Sequence, residues 1–245
     1  MYWVSEGAPS AEDVAAARVK SGVSGLWPLL VDEGGARTIV EPGPRGSHER
    51  VFHWLGEGRP SNPVDFDPEG WLAERWPDLV AENEGNEYYE PAERVSGLAP
   101  SGIGWPGLAP AAVSIRAADA YASAMTAFVL GNGFLGQPRM ALIPAASGSD
   151  ALIAARCTLA GIDDLAGHAA VLRSWEQRFG ARVIALRHDT LFASIAAAPT
   201  QQTSAAHIGC EHFVFAPDNV LQNSDSFPEY VEGLIDNNLW GFWWD

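Results

Sequence analysis

The run Arg173-Ser-Trp-Glu-Gln-Arg-Phe-Gly-Ala-Arg-Val-Ile-Ala-Leu186 decides the fold. Leu165, Leu172, Trp175 and Phe179 recur at spacings of seven, three and four, which puts them on one face of a helix. Gly180 stands where a left-handed residue ends such a helix, and Ala181 to Leu186 follow as a buried strand. Arg187-His-Asp-Thr190 then joins this strand to a second one, Leu191 to Ala196, as a hairpin.

Outward from this core, the remaining C-terminal elements alternate irregularly. Ala117 to Leu130 reads as a helix with few polar positions, buried against both halves, and Arg139 to Ala145 as a strand. Asp150 and Asp163 are expected to cap two helices, the first running through Cys157. Thr203 to Phe215 is a helix ended by Pro217, and Phe227 to Ile235 is another entered through Ser226. Leu239 to Trp244 is a last strand, aromatic on both faces and expected to be covered on both.

The first half is more broken. Tyr2 to Val4 is a short strand, and Ser10-Ala-Glu-Asp13 has capping-box spacing for a helix that stops at Ser21-Gly22 and Ser24-Gly25. Leu26 to Val31 reads as a strand whose Pro28 asks for a sheet edge, and Asp32 to Ser47 as loop. Val51 to Leu55 is a further strand. Asp67 caps a helix with Pro68 in its first turn and Trp71, Leu72 and Trp76 at helical spacing. Glu74 to Glu93 carries seven acids against Arg75 alone, the pattern of a solvated or partner-facing stretch. Val95 to Pro110, rich in Gly and Pro, reads as a link. The expected organisation is therefore α+β: a mixed β-sheet with flanking helices, with an N-terminal α/β extension over 1–110 packed on a compact α+β domain over 111–245.

Residues 139 to 245 also carry a likeness. Arg173 to Arg182, Glu211-His212-Phe213, Pro217-Asp218-Asn219 and Phe242-Trp-Trp-Asp245, in that order, resemble a bacterial, largely actinobacterial family known as domain of unknown function 4253. The resemblance implies a fold and a bacterial cytoplasmic setting, and it implies no reaction. Ala205-Ala-His-Ile-Gly-Cys210 departs from the plainer helices of that family, so His207 and Cys210 are not carried over as family chemistry.

Composition narrows the function classes. A net charge of −16 repels nucleic-acid phosphate and anionic lipid, so neither is an expected partner, whereas a basic protein is. Lys20 is the single lysine, and no basic run relieves the acidity. The start lacks the basic and apolar regions of a signal peptide, and the uncharged 120–138 stretch is too polar to span a membrane, which together suggest a cytoplasmic protein. Ten tryptophans can serve packing or an interface. Two cysteines, Cys157 and Cys210, allow at most one disulfide.

Polar constellations give two readings. Glu211, His212 and Asp218 could form an acid–base set, or Glu211 and His212 could be buried structural groups with Asp218 capping a turn. His207 and Glu211, four apart on a helix, have the spacing of two metal ligands but equally of a surface pair, and no HExxH motif exists. Trp175, Arg178, Asn219 and Trp243 are candidate binding residues; Arg178 needs a partner outside its helix, and Asp218 or Asp245 would make with it a buried clamp, or an anion site if one acid is missing. Gly102 to Gly107 and Gly131 to Gly136 match GxGxxG without the strand before and helix after that a dinucleotide requires. No cofactor is expected. The leading reading is a non-catalytic, immunity-like or regulatory binding module using acidic and aromatic surface. The alternative is a small acid–base or metal-assisted enzyme at Glu211, His212 and Asp218.

Overall fold

A computed structural model describes residues 3–32, 38–42, 48–52, 66–112, 117–154, 162 and 164–245 of the 245-residue chain, with 38–42 and 48–52 described in backbone only. It has the expected α+β architecture. Six strands form one sheet: β1 (Trp3–Val4), β2 (Leu26–Asp32), β5 (Pro138–Pro144), β6 (Arg182–Leu186), β7 (Thr190–Ser194) and β8 (Leu239–Trp243), in the order β1-β5-β2-β6-β7-β8. Every neighbouring pair is antiparallel except β2 and β6, so the sheet is mixed. A separate ribbon pairs β3 (Thr38–Pro42) with β4 (His48–Phe52). The stretch read as loop from Asp32 to Ser47 thus contains a strand. Only Val51 and Phe52 of the strand expected over Val51 to Leu55 fall within β4, and its remainder lies outside the described residues.

Strand β2 corrects the reading of Pro28. It is a central strand, held by β5 along its whole length and by β6 at Leu30 and Val31. Pro28 precedes the two residues that meet β6, so its missing N–H falls before that ladder begins.

Helices cover both faces. On one face lie α1 (Ala11–Ser24) and α4 (Ala118–Gly131), closing a small core of Val14, Leu30, Ala122, Val129, Met140, Ile184, Ala185 and Phe192. A register shift between Val183 and Ala185 gives Ile184 and Ala185 to this core while Val183 and Leu186 join the other. The capping box of α1 forms as read, but the helix runs through Ser21-Gly22 and stops only at Gly25, whose φ of 67° needs a residue without a Cβ. Helix α4 buries one side, not two: Tyr121 and Phe128 remain exposed.

The larger core fills the other face. It is closed by α2 (Pro68–Gly85), α3 (Val95–Leu98), α5 (Gly148–Ala154), α6 (Leu165–Phe179), α7 (Gln202–Phe215), α8 (Pro217–Leu221) and α9 (Phe227–Glu232). Asp150 sits inside the first turn of α5, whose Ser147 hydroxyl instead accepts the Asp150 N–H at 3.2 Å. The extension of that helix through Cys157 lies outside the described residues, as does Asp163. Asp164 caps α6 by accepting from Gly167 N at 3.1 Å. Residues 95–110 place Val95, Ala99 and Ala109 in the core. Strand β8 buries Trp240 and Phe242 on one face while Gly241 is exposed and Trp243 half-buried on the other, so it is covered once. Among the described residues no helix is long and apolar enough to cross a membrane.

Candidate functional site

The stripe on α6 turns Trp175 into the core and leaves Arg178 at its border, facing Glu211 of α7. Glu211 is 0% exposed and its carboxylate accepts four hydrogen bonds. Arg178 donates two in a forked pair, Nη1 to Oε1 at 2.8 Å and Nη2 to Oε2 at 2.5 Å. The Trp175 indole N–H reaches Oε2 at 2.7 Å and the Ala109 N–H reaches Oε1 at 2.7 Å. Arg178 also donates to Ser174 Oγ and to the Ala109 carbonyl. The arginine therefore pairs with Glu211, not with Asp218 or Asp245. This clamp ties α6, α7 and the 105–112 segment together, and the carboxylate has no lone pair aimed at open space.

His212, the next residue, turns into an aromatic box. Its ring meets Trp240 at 4.4 Å, Phe242 at 4.8 Å and Trp175 at 4.9 Å, all edge to face. Burial, helped by the nearby Arg178 charge, pushes its pKa down to about 3, so the ring is neutral. Nδ1 lies 2.9 Å from the Tyr230 hydroxyl. Asn219 donates to the Gly241 carbonyl at 2.9 Å and to the Tyr230 oxygen at 3.3 Å. With its oxygen accepting, Tyr230 directs its hydrogen to Nδ1, and the tautomer assigned by this network carries its proton on Nε2. That N–H and the Trp240 indole N–H have no acceptor, and both lie inside the box of rings.

The remaining candidates stand apart. Asp218 opens α8, where it accepts from Gln222 and from the Asp245 backbone N–H at 3.1 Å; it does not meet Glu211 or His212. His207 shares a helix side with Glu211 but lies 3.1 and 3.0 Å from the carbonyls of Pro106 and Gly107. Among the described residues no three His, Cys, Asp or Glu side chains gather as metal ligands would. Cys210 is a free, buried thiol whose pKa is raised by burial and by the Glu211 charge, and Cys157 lies outside the described residues. Trp243 pairs with Thr190 across β7 and β8 and lies on the opposite face of β8 from Trp240 and Phe242.

Charge is concentrated elsewhere. On α2, Trp71, Leu72, Trp76 and Val80 face the core, and Glu74, Asp78 and Glu82 run along the exposed side at four-residue spacing. Glu87, Tyr88 and Glu90 continue this face through the following turn, with Tyr88 80% exposed. The turn is fixed to the C-terminal region: Tyr89 donates to the Leu221 carbonyl at 3.0 Å, and Phe227 N donates to the Glu93 carbonyl at 3.0 Å. Asp225 and Glu229, far away in sequence, are thereby brought beside the acidic run, and Glu232 and Asp236 add exposed acids farther along the same segment. Sequence reasoning missed this second group because it is four isolated acids, and no local pattern joins them to residues 74–93.

The chain thus combines an α+β fold with a sealed polar clamp and an exposed acidic face. Residues 139–245 match the model of the family described as Domain of unknown function (DUF4253), in agreement with the likeness in the sequence. The clamp residues Trp175, Arg178 and Glu211 and the box around His212 fall inside this match, and the acidic run on α2 falls before it. No curated protein and no solved structure matches the chain.

Proposed function

We propose that the protein is a non-catalytic binding module, immunity-like or regulatory, that recognises a basic protein partner in a bacterial cytoplasm of actinobacterial type. The observation that carries this reading is the exposed acidic and aromatic face of α2 and the 86–94 turn, extended by the acids around α9. Three like charges at four-residue spacing on α2 repel one another and weaken the helix by a few tenths of a kcal/mol per pair, a burden that a cationic partner would remove. Nearby cations are few. Arg75 stacks over Trp71 at 4.1 Å and reaches Asp164 at 3.4 Å and Glu74 at 3.8 Å, and Arg94 lies 3.8 Å from Glu84. The net charge of −16 argues against nucleic acid as the partner.

The same geometry supports a structural role for Glu211 and His212. A general base must reach a substrate proton, and Glu211 spends its acceptor sites on Arg178, Trp175 and Ala109. The test is the affinity of the partner, cross-linked in the host cytoplasm and then purified, for charge-reversed protein. Glu82→Lys, Glu87→Lys and Glu90→Lys together should weaken binding by roughly tenfold or more and flatten its salt dependence, while Glu12→Lys on α1 should not. Equal affinity for all three proteins, without salt dependence, would remove the reading.

A further inference from the structure

At the α9 end of the acidic face, α9 and β8 border an open pocket of about 440 Å³, within the size range of sites for small groups. The half-buried Tyr230 supplies the aromatic wall, with the buried Trp240 behind it; Glu229 and Glu232 supply carboxylates, and Asn237 and Gly241 complete the lining used here. No Lys, Arg or His lines it. Among the described residues no basic side chain pairs with Glu229 or Glu232; the Glu229 carboxylate accepts from Asp225 N, at 3.2 Å.

The wall is held firmly. Tyr230 is fixed by His212 and Asn219, Asn219 is anchored to Gly241, and Trp240 is wedged against Trp175, Phe179 and His212. The pocket also adjoins the acidic turn, because Phe227 at the start of α9 is bonded to Glu93. An aromatic wall beside two unpaired carboxylates is the chemistry that recognises a planar cation. A guanidinium can lie against a ring with its face while its N–H edge reaches carboxylate oxygens, which a compact ammonium cannot do equally well.

We propose that this pocket receives an arginine side chain of the basic partner, with Glu229 and Glu232 pairing to the guanidinium and the Tyr230 ring packing on it. The proposal rests on the binding-module reading and names its anchor. The buried His212 network then has a use: it holds the pocket wall in place through Tyr230.

The test is an NMR titration of the full chain with Nα-acetyl-arginine amide, the matching lysine compound and the neutral isostere Nα-acetyl-citrulline amide. Saturable shifts at Gly233, Asn237, Gly241 and the Trp240 indole are expected with arginine, at least tenfold weaker binding with lysine, and none with citrulline. The Glu229→Gln/Glu232→Gln protein, whose substitutions are on exposed side chains, should lose the arginine response while keeping its spectrum elsewhere. Absent shifts, an equal response to citrulline, or shifts spread evenly over α2 would overturn the proposal. Partner affinity separates the two claims. If the charge-reversed α2 protein loses the partner and the double-glutamine protein does not, the pocket fails and the acidic-face reading stands. If neither variant loses it, the acidic-face reading itself fails.

Discussion

Replacing Glu211 with alanine should destabilise the protein more than any other single change at the clamp. The carboxylate is fully buried and satisfies the Arg178 fork, the Trp175 indole and the Ala109 N–H. Its removal strands a guanidinium whose side chain is only 13% exposed and leaves two buried N–H groups without acceptors. Breaking one side of a buried ion pair costs about 3–5 kcal/mol. Each orphaned donor could add about 1–3 kcal/mol, although contributions within one network do not sum simply. Taking about 3–5 kcal/mol as the floor, Tm should fall by roughly 6–20 °C for a chain of this length. Urea or thermal unfolding followed by tryptophan fluorescence measures the change. An Arg178→Met/Glu211→Leu protein, which removes both charges, should recover part of the loss. A Glu211→Ala protein melting within about 2 °C of the wild type would refute the assignment of the clamp.

Two further predictions concern the same core. His212 is held neutral down to about 3, whereas the unfolded side chain takes up a proton near 6.5. Below pH ~6.5 the unfolded state binds the extra proton, so the stability due to His212 is full above that pH and declines as pH falls toward 3, by up to about 1.4 kcal/mol per pH unit. His168, also lowered by burial, acts with the same sign. Unfolding free energies between pH 7 and 5 should fall less steeply in His212→Gln; an unchanged slope would count against a neutral His212. Gly167→Ala would place a methyl group 1.9 Å from the Trp71 indole nitrogen, on the contact between α6 and α2. It should cost about 1–3 kcal/mol and alter the near-ultraviolet dichroism of Trp71, and a variant with wild-type spectrum and Tm would show that α2 does not pack there as described.

Local signals were the legible ones. The Ser10 capping box, the Asp67-Pro68 helix start, the Leu165 to Phe179 stripe and the Gly180 stop are each decided within one or two turns of chain, and each forms. Pro28 misled because its missing N–H is tolerated just ahead of the β6 ladder, a circumstance set by strands more than a hundred residues away. Helix α2 was read only to Trp76, since the acids that follow look solvated; Val80 and Asn83 still reach the core, and the Asn83 side chain accepts from Val95 N. The need of Arg178 for a distant partner was visible from its position, but the choice of Glu211 over Asp218 depends on how α7 lies against α6. Tyr230 and Ala109 gave no signal: one is a lone tyrosine on a short helix, and the other contributes only its backbone.

Hydrogen–deuterium exchange of the protein with and without its purified partner tests the central claim most directly. The account predicts that protection appears at residues 74–93 and 224–237 together, because the Tyr89 and Phe227 contacts make them one surface. Protection confined to the exposed apolar side of α4, around Tyr121 and Phe128, with the acidic face unchanged, would contradict it.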